Sequence, residues 1–238
     1  KLGDGQDWFD LAVNEHQAKR FSCLIGKGER EHQDWVPFQK LYTPDESVPG
    51  YLSGPVHFCD AMKDPETFFE ELAPLLFSAK RVSFIDPHFN PVAPDPVNSS
   101  RWCKTAKKLA DYFREAKRLT ADIHFHTEYD REVADASVSA DEFVQSVAAT
   151  ISEYFPVTTT LSVTAWEGRR KGLRFHARYL ITDKAGVALD YGSDLAANRR
   201  TDVALMPLDI AKKRLQEFEK SDESPFKWKA SVQVWGKK

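Results

Sequence analysis

No run of this chain stays apolar for the roughly 20 residues that a bilayer-spanning helix needs, so no transmembrane segment is expected. Cysteine is scarce. Cys23, Cys59 and Cys103 form no CxxC pair, which argues against a zinc site and a disulfide framework and fits a reducing, cytoplasmic compartment. No metal and no cofactor is expected. A secretory signal is not visible. Lys1 stands where an intact chain would have Met, which predicts a trimmed or excised fragment. Gly26-Lys27-Gly28 lacks the Walker spacing and reads as a turn. Internal repeats and low-complexity segments are missing too. Nor is there a large excess of one charge: the net value of −3 provides no global basic field for nucleic acid.

What is present is a generous apolar supply, 42% hydrophobic and 12% aromatic over 238 residues. That is enough for one large domain or two small ones. Cations are clustered locally, at Arg169, Arg170, Lys171 and Arg174 and again at Arg199-Arg200. Such a run makes either a solvated loop or a cationic rim around a site.

In chain order, residues 6–20 predict a helix and 21–25 a short strand. Residues 29–54 mix charge, proline and aromatics and read as loop with short strands. Val56 to Cys59 predicts a strand, and Asp64-Pro65 starts a helix, with Asp as cap and Pro at the first helical position. A strand over 81–85 ends at Asp86-Pro87-His88. Residues 90–100, with three prolines, predict a loop, and Ser100 the cap of a helix containing Trp102, Leu109 and Phe113. Residues 122–127 alternate Ile123 and Phe125 against His124 and His126, a strand whose histidines face solvent or a helix. Ser139 with Glu142 makes a capping box. A β-branched strand follows at 158–166, then a hairpin, a strand at 203–206, a helix at 208–219 and a last strand at 231–235. This order predicts an α/β fold, a mixed sheet with helices on both faces. Residues 1–80 are expected to be an N-terminal extension on the same core, and 81–238 the main domain.

The densest chemistry lies between Arg174 and Asp194. Period-two alternation predicts a strand from Phe175 to Thr182 with His176 and Arg178 on one face. Lys184-Ala185-Gly186 is a turn signal, and Val187 to Tyr191 the returning strand, which brings Gly192-Ser193 toward the His/Arg face. An imidazole, a guanidinium and a small hydroxyl there would make a phosphate or oxyanion site. Asp183, after the strand, reads as a turn-forming residue.

His176-x-Arg178-x4-Asp183 followed by Gly192-Ser193-Asp194-Leu195 resembles the phospholipase D superfamily, which carries His-x-Lys-x4-Asp and then Gly-Ser-x-Asn. Arg178 replaces the family's Lys, Leu195 its Asn, and the gap between Asp183 and Gly192 is slightly long. The chain is also similar to the phospholipase D-like C-terminal domain of MIT-domain abscission proteins and to related bacterial domains. Those share His-x-Arg and an early Asp-Pro-aromatic strand, here Phe84-Ile85-Asp86-Pro87-His88-Phe89. The resemblance covers residues 81–236 and a single motif.

The resemblance implies a nucleophilic His176 that forms a phosphohistidine, Arg178 and Ser193 as phosphate ligands, and Asp202 as the acid that orients the imidazole. Asp86 and Asp183 are supporting positions. His88, at the C-terminal end of its strand, is either a loop histidine or a second histidine facing the pocket. Two functions are expected. One is a metal-independent, nuclease-like phosphodiesterase, a homodimer with two His176 facing across a twofold axis. The other is a degenerate module that holds phosphate groups of nucleic acid, phosphoinositide or a protein partner without turnover.

Overall fold

Strands with apolar residues on both faces need cover on both sides, and that requirement organises the molecule. The computed structural model describes residues 24–26, 35–37, 58–62, 68–72, 75–76, 79–115, 121–129, 137–167, 169–170, 173–176, 178–190, 200–206 and 208–238. Two compact units divide the chain, Lys1–His57 and Phe58–Lys238. In the first, β1 (Leu24–Gly26) and β2 (Trp35–Pro37) pair in parallel. The helix predicted over 6–20 lies outside the described residues.

In the second unit the described strands build an eight-stranded mixed sheet. They are β3 (Phe58–Met62), β4 (Arg81–Ile85), β5 (Ala121–Glu128), β6 (Thr159–Glu167), β9 (Tyr179–Thr182), β10 (Gly186–Leu189), β11 (Arg200–Met206) and β12 (Lys227–Trp235). Their order is β12-β6-β5-β4-β9-β10-β11-β3. β4, β5 and β6 run parallel, and the remaining pairings are antiparallel. A separate ribbon joins β7 (Arg169–Arg170) to β8 (Leu173–Arg174). The helices are α1 (Phe68–Glu71), α2 (Pro96–Glu115), α3 (Ala140–Ser152) and α4 (Leu208–Gln216).

Neighbouring residues of one strand point to opposite faces, and the core divides accordingly. Phe84, Ile123, Phe125, Leu161 and Val163 join Trp102, Phe113, Val147 and Ile151 from α2 and α3. Ile85, Trp166 and Ile181 join Phe175, Ala211 and Phe218 in a second cluster, on the α4 side. Helices therefore cover both faces, as the apolar pattern predicts.

Three boundaries differ from the sequence expectation. First, the unit carrying the sheet begins at Phe58 rather than at 81. β3 pairs with β11, and Phe68, Phe69, Leu72 and Leu76 are buried in the main core, so residues 58–80 belong to the sheet domain. Second, α2 starts at Pro96, not after Ser100. Asp95 Oδ1 accepts the Val97 N–H (3.0 Å) and its carbonyl accepts the Ser99 N–H (3.0 Å). This is the Asp-cap, Pro-first arrangement, hidden among the neighbouring prolines. Third, the strand predicted from Phe175 begins only at Tyr179. The capping box of α3 forms as expected: Ser139 Oγ accepts the Glu142 N–H (3.2 Å) and Glu142 Oε2 accepts the Ser139 N–H (2.8 Å).

Candidate functional site

The strand β4 delivers Asp86 to the C-terminal edge of the parallel strands, where open α/β sheets gather their ligands. Three contacts fix this edge. The Asp86 N–H donates to the His126 carbonyl (3.0 Å), the Glu128 N–H donates to the Pro87 carbonyl (3.1 Å), and Thr127 Oγ1 donates to the Phe89 carbonyl (2.8 Å). The Asp86 side chain is buried, and its Oδ1 accepts the His88 N–H (3.0 Å).

Arg178 enters at the same edge because Tyr179 pairs with Ile85, which sets the preceding residue beside Asp86. Its Nε lies 3.9 Å from Asp86 Oδ1 and its Nη1 donates to the Asp190 carbonyl (2.7 Å). The first distance is an ion-pair contact rather than a hydrogen bond. The Arg178 side chain keeps 24% of its surface in solvent. The result is a guanidinium steered by a buried carboxylate and a backbone carbonyl on a side chain that remains partly in solvent.

The structure gathers Asp86, His88 and Arg178 at this edge and sorts the other expected residues differently. His176 is exposed and stands before β9, so the expected strand face shared by His176 and Arg178 does not form. The ladder ends where the chain leaves the β7–β8 ribbon and Phe175 inserts into the second core cluster. His88 is exposed in the loop after Pro87. Ser193 lies outside the described residues.

Asp202 is exposed on β11, where its carbonyl accepts the Asp190 N–H (3.1 Å) and its register partner is Asp60. Asp183 sits at the opposite end of β9 from Arg178. Its Oδ1 accepts the Lys80 N–H (2.8 Å) and the Arg81 N–H (3.4 Å), and its Oδ2 meets Lys184 Nζ (3.1 Å). Partial burial pushes its carboxyl up, but these donors outweigh it and hold it below the usual range. It staples the start of β4, in keeping with a structural role.

His124 and His126 share a face, but it is not a solvent face. His126 is buried against Trp166 and Phe218, and the two imidazoles stack with centroids 3.9 Å apart. The second apolar cluster, on the α4 side, covers this face, so of the two expected surroundings the histidines take the helix side rather than solvent. Trp166 Nε1 donates to His126 Nδ1 (3.2 Å), and His124 Nε2 pairs with Thr164 Oγ1 (2.7 Å). The neutral His126 therefore carries its proton on Nε2, which is buried and without a hydrogen-bond partner among the described residues. Burial lowers the His124 pKa to about 4, and burial followed by the charge of His124 lowers that of His126 well below its ordinary value.

Sequence reasoning underrated two features. Asp86 was a supporting position and is the direct partner of Arg178. The Asp190 carbonyl is a backbone group, for which no side-chain pattern exists. Among the described residues no helix is long and apolar enough to cross a membrane, and no group of three or more His, Cys, Asp or Glu is gathered for a metal ion.

No family model matches the chain, and no curated protein matches it. Among solved structures it is similar to TrmBL2, an archaeal chromatin protein whose structure is described as showing a novel mode of DNA binding. The identity is 14%, the match covers 69% of this chain and 51% of that one, and the TM-score is 0.34. The chain thus spans about half the length of that protein. At this TM-score the likeness bears on neither fold nor function.

Proposed function

We propose that this chain is a phospholipase D-like module that holds phosphate groups of a nucleic acid at the sheet edge around Arg178, without turnover. The observation that carries the proposal is the Arg178 guanidinium, steered by buried Asp86 and the Asp190 carbonyl on a side chain that stays partly exposed. A guanidinium has donors to spare for a phosphate, which it can grip bidentately. The two-strand ribbon Arg169–Arg174 leads into the same stretch and brings further cations by sequence. His176 stands before β9 rather than on a strand face shared with Arg178, and this favours binding over phosphohistidine chemistry, in which nucleophile and phosphate clamp must be aligned on one phosphorus.

The test is oligonucleotide binding over a salt series by wild type, Arg178→Lys and Arg178→Ala. Loss of affinity in both variants, with a shallower salt slope in Arg178→Ala, is expected, because each phosphate contact contributes about one unit of slope. Binding unchanged in both removes Arg178 from the site.

The hydrolytic alternative, a His176 nuclease, draws on one observation: His88 is also exposed, at the same edge, with its backbone held by Asp86. Chelator-resistant cleavage of DNA, RNA or bis-p-nitrophenyl phosphate that disappears in His176→Ala would establish it. Its homodimeric form would further show as inactive mixed dimers of wild type and mutant.

A further inference from the structure

We infer that the outer face of α2, carrying Arg101, Lys104, Lys107 and Lys108, is a docking track for the phosphate backbone of a polynucleotide that leads to the Arg178 edge. The inference rests on the phosphate-binding proposal above and names the surface that completes it.

Charge is the first observation. Residues 96–110 contain these four cations and no carboxylate, whereas Asp111 and Glu115 come only at the far end of the helix. Helix stability gives no reason for this order, since the macrodipole favours the reverse. In a chain of net charge −3 such a stretch is a local departure.

Geometry is the second. Positions 97, 101, 104 and 108 fall on one side of a 3.6-residue helix, with Lys107 on its flank about 60° round from Lys104, and the buried Trp102, Ala106, Leu109 and Phe113 lie opposite the stripe. Lys104 and Lys107 are exposed, and Arg101 and Lys108 half-buried. From Arg101 to Lys108 the helix rises about 10 Å, the axial rise of about three phosphates on one strand of a duplex.

Placement is the third. The cationic half of α2 is the half tied to the loop leaving Asp86. Ser99 Oγ donates to the Pro91 carbonyl (2.8 Å), Cys103 Sγ approaches the same oxygen (3.6 Å), and Trp102 packs edge-on against Phe89 (5.4 Å). A strand–helix–strand crossover sets the helix N-terminus beside the edge where the strand ends, and here that edge holds Arg178.

The composition of the face favours nucleic acid over a lipid surface. A helix that lies in a membrane interface buries large apolar side chains in it. The large apolar residues of α2 instead face the core, and Val97 is its exposed one among the described residues.

The experiment is fluorescence polarisation of labelled single-stranded and duplex oligonucleotides, with vesicles containing anionic phospholipid as the second arm. Wild type, Lys104→Ala/Lys107→Ala and Arg178→Lys are compared. The two lysines are solvent-facing, so the double variant is expected to melt with wild type. Its log K against log salt slope should fall by about 2, with affinity about tenfold lower at low salt. Affinity and slope equal to wild type, or wild type that binds vesicles but not oligonucleotide, overturns the track. Loss in Arg178→Lys alone also overturns the track and leaves the phosphate site standing. Loss in the lysine variant alone supports the track and removes Arg178 as its terminus.

Discussion

Asp86 is the residue on which the edge depends. A buried carboxylate needs partners, and it has the His88 N–H and the Arg178 guanidinium. Asp86→Ala should cost on the order of 3 kcal/mol, as when one partner of a buried ion pair is removed. Asp86→Asn should cost less, because the amide oxygen can still accept from His88. Chemical denaturation of the two variants checks this; equal losses would mean that charge is irrelevant at the edge. The stacked histidines set the acid limit. In the unfolded chain they protonate near 6.5, whereas His124 protonates only near 4 when folded and burial lowers the folded-state value of His126 as well. Their stabilisation is complete above about pH 6.5, where neither state takes up a proton, and is lost as pH falls toward 4. Within that window the unfolded state holds more protons, so stability should drop by up to about 1.4 kcal/mol per pH unit for each histidine. Melting temperatures of wild type and His124→Gln between pH 7.5 and 4.5 test this: a variant slope as steep as wild type would exclude His124.

At the scale of elements, capping chemistry and close approach determine where the chain starts and turns. Ser139→Ala and Asp95→Ala each remove a side-chain acceptor at a helix start and should each cost about 1 kcal/mol, read as a shift in denaturation midpoint. Gly186, at the β9–β10 turn, marks where α4 meets the sheet. A Cβ there would lie 2.9 Å from Ala211 Cβ and 2.9 Å from Met206 Cε. Gly186→Ala should therefore push α4 off β10 and destabilise by about 1–3 kcal/mol, as overpacking does. A neutral effect would show that α4 moves without cost. The α3 box was legible because Ser139 and Glu142 are one helical turn apart. The start of α2 was not, because Pro91, Pro94 and Pro96 together look like loop until the Asp95 cap is seen.

For the whole molecule, the division at His57/Phe58 predicts that residues 58–238 fold alone with one cooperative transition. β3 must travel with the sheet, because it pairs with β11 and its removal would bare that strand. A fragment beginning at 81 should accordingly be less stable than one beginning at 58, and equal melting curves would show that β3 is dispensable. The alternation of Ile123 and Phe125 with His124 and His126, the stripe of α3 and the order of strands and helices were written in the sequence, because burial on both faces leaves a local periodicity. The turn at 184–186 was equally local, whereas Asp183 accepts from the Lys80 and Arg81 N–H groups, 103 and 102 residues away in the chain. The edge itself was decided by tertiary structure. Asp86 meets Arg178 only because β4 pairs with β9 across more than 90 residues of intervening chain, and such a pairing leaves no trace in spacing. The position of His176 off the strand, and the burial of His126 under Phe218, likewise follow from which segments pack together, since a period-two pattern states that a face exists but not what covers it.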